Sequence, residues 1–498
     1  MKIHSLTILM AAIAVITSCA ASRKATQVAD GPHTITIVST ADIYGRWLDS
    51  TFVKDQVRPS LLSVRKLVSG IPGTVALVDA GNFGGRGNIS FYYDRVAAES
   101  IVDDLTSYMG YDALMPEPAV FEKDGIVVAV APWAEAAALA ASRGAHVTVG
   151  VADGNDFRAG KVDLNGIDLL ICHGDNRPML ENRDSVSIVD AGTMCRKVGI
   201  SEVTVEIRKG KVVTKTTVSK AVNVDASDVD APMREHFAQA YAEVGGFSRS
   251  VVGDLACDLA VREAYMGQSD YMNLYHSLAL SHPGVEVSLC APLSVDGVVE
   301  GGPITYNDIA RVYPFENRLV IMKMTGREIV DFLEASYDLQ LASADEDGFF
   351  RLKEMKDPKS GTVKLNFKNS PGNFESAGGL VYVVDASKPC GSRITVASMA
   401  DGAPFSMERT YNVGMTSYRA TGAGGLLGKA GITKDLLKER TVLEGPEFRS
   451  LLYDYLRIDP SVTPERIGDT SVVGSWHYVP EEDCRAAAWV DMKRIFTE

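Results

Sequence analysis

No two of the seven cysteines form a CxxC pair, so the Cys-rich zinc signatures are absent. No Gly-x-Ser-x-Gly elbow occurs, and no Ser-His-Asp or Cys-His nucleophile arrangement finds support. Gly84-Gly85-Arg86-Gly87 lacks the following Lys-Ser of a Walker-type phosphate loop. There is no internal repeat, and past the N-terminus no apolar run is long enough for a membrane span. Positive charge is also short: the formal net charge is −14. That argues against a nucleic-acid polymer as partner, because backbone binding needs clustered Lys and Arg. A small pocket for one phosphate stays open.

What is present is a chain of 498 residues, long enough for two or three domains. Lys2 gives a short basic start, and Leu6 to Ile16 is an apolar run too short to span a bilayer. Ile16-Thr17-Ser18-Cys19 follows, so residues 1–19 read as a signal peptide. The pattern resembles a bacterial lipoprotein box, which implies cleavage before Cys19 and lipidation of its thiol. An ordinary signal peptide with an incidental cysteine is the alternative. Residues 20–32 would then be a tether holding the body at a membrane surface, periplasmic or on the cell surface. The other six cysteines are scattered and read as buried thiols, not as a disulfide framework.

Thr34 to Ser39, Val75 to Val78, Ile126 to Val130 and Leu169 to Cys172 read as short buried strands. Helical patterns lie between them, for example Tyr93 to Tyr108. Alternating strands and helices predict an α/β layer fold. Ser201 to Val222 alternates around Lys209-Gly210 and predicts a hairpin. Asp225 to Val244, containing Pro232, predicts a linker helix. Past it the pattern predicts a helix at Asp254 to Tyr265, strands at Val285 to Leu289 and Leu319 to Met324, and a helix at Arg327 to Tyr337. Ala342 to Lys368 is polar and reads as a surface insertion, and strands return at Leu380 to Val384 and Tyr411 to Met415.

Two stretches carry a family resemblance. Thr34 to Trp47 (TITIVSTADIYGRW) looks like a hydrophobic strand followed by an Asp-x-His-Gly metal loop. Farther on come Gly301-Gly302-Pro303-Ile304-Thr305, Asp308, Val312-Tyr313-Pro314-Phe315-Glu316-Asn317, Met324-Thr325-Gly326, Leu333-Glu334 and Tyr411 to Gly425 (YNVGMTSYRATGAGG). In order and spacing these are similar to the C-terminal domain of the 5′-nucleotidase family. Cys290-Ala291-Pro292-Leu293-Ser294 resembles its branch of cyclic-nucleotide 2′-phosphodiesterases. The resemblance covers residues 33 to 470 and implies a metallophosphoesterase-like α/β sandwich at 33–222, a linker helix at 223–245, and an α+β nucleotidase domain at 246–498 with an insertion about 339–370.

The family's chemistry rests on two metals about 3.5–4 Å apart that clamp a phosphoester and activate water. Against its motifs Asp42 matches, but Tyr44 stands where a His ligand belongs, and a phenol ionises only near pH 10. Asn82 replaces the bridging Asp. Met115-Pro116-Glu117-Pro118-Ala119 replaces the segment bearing a ligand and the His that stabilises the departing oxyanion. A lone mid-domain His has no counterpart except His146. In the last motif His173 survives and Asp175 takes the place of a second His. The resemblance therefore implies a remnant metal set of Asp42, Asn82, His173 and Asp175, able to hold one divalent ion (Mg, Ca, Mn or Zn) and not a two-metal centre. Asp42 and His173 can equally persist as packing residues.

For the nucleoside pocket, the resemblance places Tyr418 as one base-stacking aromatic and Phe374 near the other. Gly422, Gly424 and Gly425 would let backbone approach a ligand, and Arg419 could meet a phosphate. The alternative makes Tyr418 a core aromatic and Arg419 a surface charge. The expected function is nucleotide or nucleoside binding with phosphohydrolase activity weak or lost. An active nucleotide or cyclic-nucleotide hydrolase with a rearranged metal site, or a surface scaffold, are the alternatives.

Overall fold

The structure, a computed structural model, describes residues 28–52, 56–174, 177–315, 317–343, 346–356, 361 and 363–496. Cys19 and Asp175 lie outside the described residues. The chain divides into two compact units. One holds the chain up to Thr51 together with Gln56–Phe237, the other Phe52–Asp55 together with Ala238–Glu498.

The first unit is built on eleven described strands: β1 (Gly31–Thr40), β2 (Val75–Asp79), β3 (Ala113–Leu114), β4 (Ala119–Lys123), β5 (Ile126–Pro132), β6 (Val147–Asp153), β7 (Leu169–His173), β8 (Met179–Arg183), β9 (Val186–Asp190), β10 (Lys197–Arg208) and β11 (Lys211–Asn223). They form two sheets, ordered β11-β10-β1-β2-β3 and β4-β5-β6-β7-β9-β8. Ile35, Ile37 and Val78 from the first sheet share one buried cluster with Val128, Val149 and Leu169 from the second, so the sheets pack face to face. Side chains alternate across a strand. Thus Leu169 and Ile171 enter that cluster while Leu170 and Cys172 enter a second cluster with Phe157 and Ile188 on the far face. Parallel strands covered on both sides carry apolar residues almost continuously, which is why the sequence of β7 reads LLIC. The β10–β11 hairpin turns at Lys209 and Gly210, both with positive φ, as tight hairpin turns require.

Three predicted helices differ. The Tyr93 to Tyr108 pattern is split into Gly87–Arg95 and Val102–Met109. Asp103 and Asp104 lie in the first turn of the second helix, where they favour a fresh N-terminus. The linker segment is likewise two helices, Ala231–His236 and Ala238–Arg249. Asp230 starts the first, accepting from the Met233 N–H at 2.8 Å, with Pro232 in its opening turn. The helix expected over Asp254 to Tyr265 is absent. Val251–Leu255 is a strand pairing with Gly302–Thr305 and Ser461–Val462, and only Val261–Tyr265 turns, as a 3-10 segment. Long-range pairing overrides the local period here, and a side chain on Gly253 would collide with Leu456 and the Pro460 carbonyl.

The second unit centres on a mixed sheet ordered Ser376–Gly378, Val287–Cys290, Thr410–Thr416, Arg318–Thr325, Thr441–Glu447. The helix Gly326–Gln340 begins at a capping box of Thr325 and Glu328. The stretch at 339–370 is not merely a surface insertion. It forms a hairpin of Leu352–Lys356 and Val363–Phe367, and it buries Phe350 and Phe367 against Tyr265 and Phe374. Among the described residues, no helix is long and apolar enough to cross a membrane. Cys172, Cys195, Cys290 and Cys484 are buried free thiols, while Cys257 is half-buried and Cys390 exposed.

Candidate functional site

In the first unit, the loops leaving β1 and β2 run side by side. The N–H groups of Asp42, Tyr44 and Gly45 donate to the carbonyls of Gly81, Asn82 and Phe83 at 2.8–3.0 Å. Asp42, Tyr44 and Asn82 all hold left-handed backbone, φ 51, 49 and 57, a conformation that non-glycine residues adopt seldom and at some cost. Thr193 and Met194, after β9, donate to the Asp42 carbonyl at 3.0 and 2.8 Å. Both oxygens of the buried Asp42 carboxylate are engaged: Oδ1 by Asn82 Nδ2 at 2.6 Å, Oδ2 by the Gly174 N–H at 2.7 Å. Tyr44 hydrogen-bonds Asp42 too, and Arg86 lies 3.8 Å over its ring. Burial first, then the Asp42 charge, hold the Tyr44 phenol above its ordinary value, so it remains neutral. His173 packs beside Gly81, and its Nδ1 is buried without a hydrogen-bond partner. His146 is spent elsewhere, its Nδ1 accepting from Val127 N–H at 3.1 Å.

This donor set does not fit a two-metal centre. A bridging carboxylate is needed to neutralise two dications, and at that place Asn82 presents an amide already donating to Asp42. Among the described residues no three His, Cys, Asp or Glu side chains are grouped to hold a metal.

Behind the loops, the buried Asp79 accepts from Thr40 Oγ1 at 2.7 Å and from Gly81 N–H at 3.0 Å, and Thr40 is 2.9 Å from the Tyr111 hydroxyl. Burial pushes the Asp79 carboxyl up to about 7. The sequence pattern does not reveal this network, because Thr40 and Tyr111 lie far from Asp79 along the chain.

In the second unit, a cavity of about 350 Å³ is lined by Pro292, Leu293, Val295 and Pro371 on apolar walls, with Ser294, Asn317 and Thr416 as polar points. That volume falls within the range of small-ligand pockets. Tyr418 and Phe315 both line it and are 56% and 47% exposed. Arg419 and Glu375 also reach its wall, yet both are buried. Arg419 Nε donates to Glu375 Oε1 at 2.5 Å, Nη1 to Asn373 Oδ1 at 3.2 Å and the Ala423 carbonyl at 2.5 Å, and Nη2 to the Gly372 carbonyl at 2.7 Å. Burial raises the Glu375 carboxyl more than Arg419 lowers it, and its Oε2 has no partner.

A family model for the 5′-nucleotidase C-terminal domain matches residues 244–429. This segment is thus similar to the C-terminal domain of 5′-nucleotidases. The chain is also 23% identical over 303 residues to the trifunctional nucleotide phosphoesterase protein YfkN of Bacillus subtilis, a match covering 55% of this chain and only 19% of that protein's length. The NAD nucleotidase (NadN) of Haemophilus influenzae superposes with a TM-score of 0.57 at 12% identity, covering 90% of this chain and all of the other; at that identity the likeness is one of fold. A 5′-nucleotidase precursor from Thermus thermophilus gives 0.41 at 18% identity, covering 90% and 99%.

Within the matched segment, Tyr418 stands on the cavity wall. Phe374 does not: it is 1% exposed, packed on Tyr265 and Tyr337 at centroid distances of 5.1 and 5.6 Å. Arg419 is not a phosphate clamp, because its partners in the chain take four of its five donors. Gly424 serves that same network, since a Cβ there would strike Asn373 Oδ1 and Arg419 Nη1. Gly422 and Gly425 share its positive φ and line no part of the cavity. His276 is a core residue, held 2.6 Å from Ser288 Oγ and 3.0 Å from Ser376 Oγ, and burial lowers it to about 3. Phe315 and Glu375 were missed. Phe315 sits in the Tyr-Pro-Phe-Glu-Asn stretch, and no local period marks it as exposed.

Two outcomes follow. Between about pH 4 and 7 native Asp79 holds a proton that the unfolded chain releases, so its contribution is greatest below pH 4 and is lost as pH rises through 7. Urea unfolding at pH 5 and pH 8 should show Asp79→Asn flattening that dependence and matching or exceeding wild-type stability at pH 8. Arg419→Ala leaves the Glu375 carboxylate buried alone and should lower the unfolding free energy by about 3–5 kcal/mol, measured in the same titration.

Proposed function

We propose that this chain is an exported, lipid-anchored member of the 5′-nucleotidase family that binds a nucleoside or nucleotide in the Phe315–Tyr418 cavity, with phosphohydrolase activity weak or lost. One observation carries the second half: the single surviving acid of the first motif, Asp42, has both oxygens hydrogen-bonded within the protein, and its neighbours Tyr44 and Asn82 are neutral. The family is one of metal-dependent phosphoesterases, so losing the bridging carboxylate removes the means of clamping the phosphoester. The cavity, by contrast, has intact apolar walls and exposed aromatics. YfkN is a nucleotide phosphoesterase and NadN an NAD nucleotidase, which supports a nucleotide-like ligand here. The Leu6 to Ile16 run and Cys19 support export and anchoring.

A second reading keeps activity, with one divalent ion held by Asp42, His173 and Asp175. The unpartnered Nδ1 of His173 favours it, since a ligand would satisfy that atom. Turnover separates the two. Nucleosides at saturating concentration should raise the melting temperature, because a ligand that binds only the native state stabilises it. Nucleotides and 2′,3′-cyclic nucleotides with Mg²⁺, Mn²⁺, Ca²⁺ or Zn²⁺ should be hydrolysed at background rate. Metal-dependent turnover abolished by Asp42→Ala would establish the second reading instead.

A further inference from the structure

We propose that the hairpin of Leu352–Lys356 and Val363–Phe367, together with the closing helix Glu481–Phe496, is a docking surface for an anionic lipid bilayer. The proposal needs neither Cys19 nor a lipid on it, and it is independent of the ligand assigned to the cavity.

The hairpin is a two-stranded sheet of its own. In its register Lys353 faces Asn366 and Met355 faces Lys364, while Leu352 faces Phe367 and Glu354 faces Leu365. Opposed residues share a face of the sheet, and successive pairs alternate between faces. Phe367 is buried on Tyr265 and Phe350, so its face is the inward one. The outward face therefore carries Lys353, Met355 and Lys364, all exposed, and Glu354 belongs to the other. Lys356 and Val363 are exposed as well. The helix lies against the hairpin's second strand. Its buried Asp491 accepts from the N–H groups of Phe349 and Phe350 at 2.6 and 2.9 Å, which fixes the base of the hairpin to the helix. The helix buries Cys484, Ala488, Met492 and Ile495 and exposes Trp489, Val490 and Lys493, with the Lys493 ammonium 5.6 Å over the indole. Its acids Glu481, Glu482 and Asp483 sit in the first turn, about 15 Å along the axis from Lys493.

In a chain of net charge −14, this grouping of cations runs against the overall sign. Cations alone would suit any polyanion. The exposed apolar side chains set among them, Met355, Val363, Trp489 and Val490, decide for a bilayer. Lysine stems lie along apolar surface while their ammonium groups meet lipid phosphates. An indole favours the headgroup level, where one side is apolar and the other wet. A soluble polyanion offers nothing to the methionine and valines.

The test is co-sedimentation of the chain from residue 20 onward, carrying no lipid, with vesicles of phosphatidylglycerol and phosphatidylcholine in equal parts, and with phosphatidylcholine alone. The expected result is binding to the anionic vesicles only, weakening as salt rises. Each lysine at such a surface is worth about fivefold, so Lys353→Glu combined with Lys364→Glu should weaken binding more than about twentyfold. Trp489→Ala should weaken it about three- to tenfold. Lys211→Glu combined with Lys220→Glu, exposed on β11 of the first unit, changes the net charge equally and should leave binding unchanged. All these positions are exposed, so the variants should keep the wild-type melting temperature, measured alongside. Equal loss in both double variants would overturn the assignment to this surface. Binding to soluble polyglutamate as tight as to vesicles would overturn the bilayer as occupant. No binding to anionic vesicles, or equal binding to phosphatidylcholine alone, would overturn the proposal outright.

Discussion

The buried guanidinium of Arg419 makes the interactions on which the second unit's cavity depends. It ties the 372–375 segment to the 419–424 turn through four charge-assisted hydrogen bonds, one of them to a carboxylate. Taking both ions out of water is expensive, and the pair repays it only because Arg419's remaining donors are also met. The consequence is geometric. With Arg419 held down, its neighbour Tyr418 is turned outward onto the cavity, and Gly424 must be glycine to make room. Arg419 builds part of the cavity wall and is not a free cation within it.

In the first unit the side chains of two paired loops are engaged with one another. Its two loops still pair through backbone hydrogen bonds and still hold the left-handed conformations at Asp42, Tyr44 and Asn82. Those bonds do not depend on metal ligands, and the loops' side chains are partners of one another. Asn82 and Gly174 take the Asp42 oxygens, Arg86 covers Tyr44, and Asp79 is buried behind them with Thr40. Function resides in such sites and not in the fold, so the fold likeness to NadN does not carry that protein's activity across.

Much of the architecture was legible because buried strands announce themselves. The runs at β1, β2, β5 and β7, and the Lys209-Gly210 turn, need only local chemistry to be recognised. The helix misread at 254–265 failed for the opposite reason: its pairing partners, at 302–305 and 461–462, are distant in sequence. The site followed the same divide. Resemblance to the family's motifs brings Asp42, Asn82 and His173 forward as a set, the first two in loops after strands and the third at the end of β7. It could not tell Phe374 from Phe315, because which ring faces a cavity depends on Tyr265, Tyr337 and Phe350 closing around one of them. Nor could it show that Arg419 is spent, as its acceptors lie up to 47 residues away.

The central claim is that the chemistry of the first unit has been given up while the cavity of the second is retained. Metal content tests it most directly: purified protein incubated with Mn²⁺, Zn²⁺, Mg²⁺ and Ca²⁺, desalted, and measured by plasma mass spectrometry. The account predicts less than one tightly held transition-metal ion per chain, and the same in Asp42→Ala. Two retained ions per chain, lost in Asp42→Ala, would contradict it.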